Sequence, residues 1–296
     1  MLLDSPDEYS YVYKLFFEGI SPSTLLFGSY EVIHCIHASD TSGVYLCKYT
    51  KENTLRVLKV SEKKSDNPIS YHMISREISI TTNISHPSIL TPLESFEDDE
   101  FIAFAMPYLT GGTLEDLIIE DAGVLPLQRA LETLRGIASG LSNLHDNEIV
   151  HSDIKPSNIL LDKYLKPKIC DFGLSSRVSE KPLPFEDSLV GTLDYIAPEY
   201  LIHGEVLPSI DVYSLGILAC EILTGKNPLA GVETYDTLRK RLHNVTCNLS
   251  ELNPYVPRHL EDTINQCLSY NPKDRPTSKD FKNLLSANLE DVFLAH

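Results

Sequence analysis

The chain has 296 residues, 42% hydrophobic and 23% charged, with a net charge of −17. That is the size of one large domain or of two lobes with an ample core, and the negative balance argues against nucleic acid and anionic membrane surfaces as ligands. The six cysteines include no C-x-x-C pair and no metal-ligand spacing, so reduced thiols in a cytoplasmic protein are expected.

In chain order, Met1-Leu2-Leu3-Asp4 lacks a basic segment and turns acidic at once, so no signal peptide is expected. The N-x-S/T triplets at Asn83, Asn244 and Asn248 are therefore read as chance. Residues 1–26 form a Tyr- and Phe-rich N-terminal extension. Short strand-like runs follow at 30–34, 44–49 and 54–60, the last two flanking a hairpin turn at Lys51-Glu52-Asn53. A helix is predicted over 69–84, then strands over 90–96 and 101–107, and Gly111-Gly112 breaks the pattern. Beyond it the chain turns helical: Ala130, Leu131, Leu134, Ile137, Ala138, Leu141 and Leu144 recur at helical spacing. A strand pair is predicted at 159–161 and 168–170. Residues 210–223 are apolar on nearly all sides, the mark of a buried helix. The longest apolar stretches, 101–109 and 216–220, are too short to span a membrane. The fold class expected is α+β: a small strand-rich lobe, a glycine hinge and a larger helical lobe.

Two residues in the small lobe ask for partners. Lys59 sits inside the apolar run Val57-Leu58-Lys59-Val60, and a buried lysine is costly unless paired. Glu77 lies beside Ile78 and one turn from Met73, on the apolar side of its helix. The two either form a buried pair or are a snorkelling lysine and a surface glutamate. In the large lobe, His151-Ser152-Asp153-Ile154-Lys155-Pro156-Ser157-Asn158 follows the long helix directly. Asp171-Phe172-Gly173 comes thirteen residues after Asn158, and Ala197-Pro198-Glu199 follows in turn. Each triplet alone is a weak signal. Together, in this order and on these elements, they resemble the eukaryotic-type protein kinases from about residue 30 to 290.

The resemblance implies a two-lobed kinase domain over 27–290, with an N-lobe at 27–108, a C-lobe at 109–290 and a tail at 291–296. It implies ATP and Mg²⁺, and transfer of the γ-phosphate to Ser or Thr hydroxyls of a protein substrate. Asp153 would accept the hydroxyl proton, Lys155 neutralise the moving phosphoryl, and Lys59, fixed by Glu77, hold the α- and β-phosphates. Asn158 and Asp171 would ligate Mg²⁺. Val44 and Leu160 match the residues that sandwich adenine. Met106 matches the gatekeeper, and Pro107 and Leu109 the hinge positions whose backbone meets the base. Asp211 looks like the residue that ties down the catalytic-loop backbone, and Glu199 and Arg275 like the large lobe's ion pair. Lys155 and Thr192 point to Ser/Thr rather than Tyr acceptors. Segments 191–200 and 222–228 look similar to receptor-like and tyrosine-kinase-like Ser/Thr kinases, without their membrane segment.

Three departures stand out. Aligning Val44 with the family's valine puts His37, Ser39 and Ser42 where the phosphate-covering loop carries glycines. Ser152 replaces the arginine many members carry beside the catalytic aspartate, and Thr81 stands where the family packs an apolar residue. An acidic context at Glu186 and Asp187 surrounds Ser188, the position of an activating phosphate in many kinases. The alternative to an active kinase is therefore a catalytically weak or dead member serving as a nucleotide- or protein-binding scaffold. A small-molecule kinase is disfavoured by Gly191-Thr192 and Ala197-Pro198-Glu199. A regulatory partner remains open.

Overall fold

A computed structural model of the chain describes residues 22–39, 41–63, 69–120, 123–178, 193–229 and 245–294. Its contacts divide the chain into two units. One runs to Ile84 and resumes over Leu90–Tyr108; the other comprises Ser85–Ile89 and the chain from Leu109 onward.

The first unit is a six-stranded antiparallel sheet and one helix. The strands are β1 (Leu25–Leu26), β2 (Tyr30–Ala38), β3 (Ser42–Tyr49), β4 (Thr54–Glu62), β5 (Glu94–Glu97) and β6 (Phe101–Pro107), in the order β1-β2-β3-β4-β6-β5. Helix α1 (Ile69–Thr81) follows β4. Alternation along the strands builds two layers. Tyr30, Val32, Tyr45, Cys47, Leu58, Val60, Phe101 and Ala103 form one core. Ile102 and Phe104, on the other face of β6, pack with Ile74 of α1. Arg56 stays buried beneath Tyr49, its guanidinium 3.6 Å from the ring centroid, because Tyr30, Glu52 and Glu94 take its N–H groups. At the turn between β3 and β4, Asn53 adopts φ +57° and its N–H closes on the Tyr49 carbonyl at 2.8 Å, as a polar turn residue can.

Two expected boundaries move. The helix predicted over 69–84 stops at Thr81, where the Thr81 and Thr82 hydroxyls bond back to the Glu77 and Ile78 carbonyls and compete with the helix ladder. The strand predicted over 90–96 begins only at Glu94, because Pro92 has no N–H to give a ladder; the chain enters the sheet with the Leu93 N–H on the Ala105 carbonyl.

The second unit contains α2 (Leu114–Glu120), α3 (Leu127–Asp146), β7 (Ile149–Val150), β8 (Ile159–Leu161), β9 (Pro167–Ile169), β10 (Ser176–Arg177), α4 (Pro198–His203), α5 (Pro208–Thr224), α6 (Leu249–Leu252), α7 (Arg258–Cys267) and α8 (Ser278–Leu294). The apolar stripe of α3 packs against α5 and α8. Helix α5 opens on Pro208, where a missing N–H costs nothing, and ends at Gly225 with φ +71°. Every residue from Ile210 to Leu223 except Glu221 is buried. Gly111 is required for space: a Cβ there would stand 2.5 Å from the Asp162 carbonyl oxygen. That approach lets the backbones of Gly111 and Gly112 pair with Leu161.

Candidate active site

Each unit carries its own set of candidate residues. In the first, Lys59 on β4 lies opposite Val44 of β3 and Phe104 of β6. Its Nζ is 2.8 Å from Glu77 Oε2 on α1, with 19% and 6% of the two side chains exposed. The buried pair is therefore the arrangement adopted. Removing one partner of such a pair leaves an uncompensated charge, at a cost of about 3–5 kcal/mol. Thr81 is buried without penalty because its hydroxyl is spent on the Glu77 carbonyl at 2.5 Å.

The hairpin register pairs His37 with Val44 and Ala38 with Gly43, which puts Ser39 and Ser42 at the two ends of the tip. Their hydroxyls lie 2.9 Å apart, and the Ser39 N–H donates to the Ser42 carbonyl at 2.8 Å. Strand β2 also carries two bulges, which leave Ile33 and Ile36 unpaired and exposed. Met106 is half-buried on β6 opposite Val57 and touches the α1 cluster, while Pro107 pairs with Arg56. Leu109 begins the second unit.

There, His151–Asn158 joins β7 to β8 and is held from below by α5. The fully buried Asp211 carboxylate accepts the N–H groups of His151 and Ser152, each at 2.8 Å, and meets His145 Nε2 at 2.9 Å. This grip holds Ser152 at φ +69°, a conformation a non-glycine residue rarely takes unaided. The His151 ring bridges the loop: Nδ1 accepts the Asp153 N–H, Nε2 donates to the Cys170 carbonyl at 3.1 Å, and its edge meets Phe172 with centroids 4.9 Å apart.

Asp153 Oδ2 accepts from Asn158 Nδ2 at 2.7 Å and lies 2.9 Å from Lys155 Nζ. Its Oδ1 is buried and has no partner among the described residues. Asn158 also donates to the Asp153 carbonyl, so its amide nitrogen is committed and its amide oxygen remains for another task. The Cys170 N–H bonds to the Asn158 carbonyl, which sets Asp171, at φ +64°, one residue beyond the point where the two segments join. An amide oxygen and a carboxylate are the hard donors Mg²⁺ takes from protein, with phosphates and water completing its shell. Leu160 is half-buried on β8, between Lys168 of β9 and a bridge to Thr113. The second unit thus gathers Asp153, Lys155, Asn158 and Asp171 around one loop. Thr192 and Ser188 lie outside the described residues.

Sequence reasoning overlooked His145, whose Nδ1 meets Ser278 at 2.9 Å while Nε2 meets Asp211. His145 comes directly after Leu144, the last residue of the apolar stripe of α3, and nothing in that spacing marks it as a partner of Asp211.

The two-lobed α+β fold and this loop chemistry define the catalytic domain of a protein kinase, and residues 30–286 match the protein kinase domain family; the chain belongs to it. It is 29% identical over 259 residues to the serine/threonine-protein kinase PrkC of Bacillus subtilis, covering 86% of this chain and 40% of that protein. It is 31% identical over 258 residues to the Aurora kinase of Saccharomyces cerevisiae, covering 86% and 65%. Against the serine/threonine-protein kinase PkaA of Streptomyces coelicolor it is 31% identical over 241 residues, covering 80% and 43%. The chain thus spans less than two thirds of the length of each of these relatives.

Proposed function

We propose that the chain is an ATP-dependent protein kinase that transfers the γ-phosphoryl group to serine or threonine hydroxyls of a protein substrate. The observation that carries this reading is the state of the Asp153 carboxylate. One oxygen is held by Asn158 and Lys155, and the other is buried and unpaired among the described residues, ready to accept the proton of an incoming hydroxyl. Phosphoryl transfer asks for alignment and charge neutralisation more than covalent chemistry. Lys155 lies next to the base and offsets charge on the moving phosphoryl. Lys59, steadied by Glu77, clamps the α- and β-phosphates. Val44 and Leu160 enclose adenine, with Met106 behind it, and the Pro107 carbonyl and the Leu109 N–H meet its edge. Asn158 and Asp171 would hold Mg²⁺, which neutralises the phosphate oxygens. The kinase domain is assigned to 27–290, with the N-lobe over 27–108 and the C-lobe over 109–290. A cytoplasmic location and reduced cysteines complete the reading, and nucleic acid has no part in it. Among the described residues no helix is long and apolar enough to cross a membrane.

A scaffold that binds nucleotide without turning it over is the second reading, favoured by the hairpin tip with Ser39 and Ser42 in place of glycines. Phosphate transfer from Mg-ATP to a generic protein substrate separates the two. Wild type is expected to label Ser and Thr, and Asp153→Asn to lose at least about a hundredfold in kcat, as loss of a general base does. Equal rates for the two proteins would refute the assignment of Asp153, and mainly phosphotyrosine would refute the acceptor class.

A further inference from the structure

The tip of the β2–β3 hairpin is closed by its own side chains. The Ser39 hydroxyl accepts the Ser42 N–H at 3.2 Å and, more weakly, the Thr41 N–H at 3.5 Å. A second set of bonds fixes the tip to its surroundings. The Thr41 carbonyl accepts from the Glu62 N–H and the Ser61 hydroxyl, both at 3.0 Å. The Thr41 hydroxyl lies 2.9 Å from that of Ser70, in the first turn of α1. The tip is therefore strapped to β4 and to the helix that bears Glu77, with two consecutive amides turned onto Ser39. Val44, two residues along from Ser42, stands directly opposite Lys59, so these amides belong to the strand pair that carries the candidate phosphate clamp.

Successive backbone N–H groups at a tight turn make an anion site when left open. Resting on the nucleotide-binding reading above, we infer that Ser39 is a specificity-determining residue whose hydroxyl occupies the tip amides that the polyphosphate chain of a nucleotide would otherwise take. The hydroxyl is a weaker acceptor than a phosphate oxygen, but it is tethered, and Thr41 prevents the turn from reopening. A phosphate gains at this tip only what remains after Ser39 is displaced. Nucleotide affinity then rests on the adenine contacts, Lys59 and the metal ligands, and the hairpin discriminates poorly between a phosphorylated nucleoside and a bare one.

The test measures ADP and adenosine binding by calorimetry with Mg²⁺ present, for wild type, Ser39→Gly and Ser39→Ala. Both variants remove the acceptor; the alanine does so without the extra backbone freedom of glycine. Both are expected to tighten ADP binding by about tenfold, the worth of one freed amide bonding a charged oxygen, with adenosine unchanged. Wild type binding both ligands, and variants that leave ADP unchanged or tighten adenosine equally, would overturn the role of Ser39 while leaving the kinase reading standing. Failure of wild type to bind either ligand would overturn the nucleotide site itself, and the inference with it.

Discussion

Ser152 follows His151 in the catalytic loop, and Ser176 lies opposite Val150, two residues before it, on the β7–β10 pair. Both hydroxyls are buried and without a partner among the described residues. The family resemblance puts one cation that receives an activating phosphate at Ser152 and a second at or near Ser176, where Arg177 is adjacent but displaced by one residue. An uncharged, buried hydroxyl cannot repay the desolvation of a dianion. Ser188, the sequence's candidate for that phosphate, also follows Glu186 and Asp187. Activity is therefore expected to be independent of phosphorylation at Ser188. Phosphatase treatment and Ser188→Ala should each change kcat by less than about tenfold, or ~1.4 kcal/mol of barrier. A larger loss on either would mean that a cationic receiver exists elsewhere.

At the scale of elements, the short segment Ser85–Ile89 is seated by His86. Its Nδ1 accepts the Ser88 N–H at 3.1 Å, so the ring is neutral, and Nε2 meets the Ser139 hydroxyl of α3 at 3.2 Å. Burial, then Lys282 and Lys168, lower its pKa below 6.5. As pH falls through that value the unfolded chain takes up a proton that the folded chain still refuses, so stability present at neutral pH is lost toward acid. The expected result is a urea midpoint that drops between pH 7.5 and 5.5 by more in wild type than in His86→Gln. Equal drops would remove His86 from the account. This segment also shows what the sequence could and could not deliver. The strands at 101–107 and 159–161 were legible from their apolar runs, and the catalytic loop from short spacings within one turn of chain. The sequence does not decide the pairing of Lys59 with Glu77, since eighteen residues and a change of element separate them. Nothing local announced the bulges at Ile33 and Ile36, which arise from register against β3. The chain of contacts from Asp211 through His145 to Ser278 was equally hidden: it joins α3, α5 and α8, and no pattern within any one helix encodes it.

For the molecule as a whole, the large second unit depends on one buried fork. Arg275 Nη1 and Nη2 grip the Glu199 carboxylate at 2.5 and 2.8 Å. The same guanidinium also donates to the carbonyls of Ser209, Ser269 and Tyr270 and lies 4.7 Å from the Tyr213 ring centroid. It thereby fastens α4, the start of α5 and the turn before α8 to one another. Arg275→Met would strand a buried carboxylate and three carbonyls, and is expected to cost about 3–5 kcal/mol. Arg275→Lys should fall between it and wild type, because an ammonium cannot reproduce the planar fork. Chemical denaturation gives both values; a loss below about 1 kcal/mol for the methionine variant, within the range of an exposed pair, would show the fork to be dispensable.

Helix α5 also sets a clock. With no solvent-facing side from Ile210 to Leu223 other than Glu221, its backbone protons have no shallow fluctuation through which to meet water. They can be replaced only when α3, α7 and their neighbours come away from it, an event with nearly the full free energy of unfolding the unit. In deuterated buffer these amides should be the last in the chain to exchange, at a rate that reports the lifetime of the second unit as a whole.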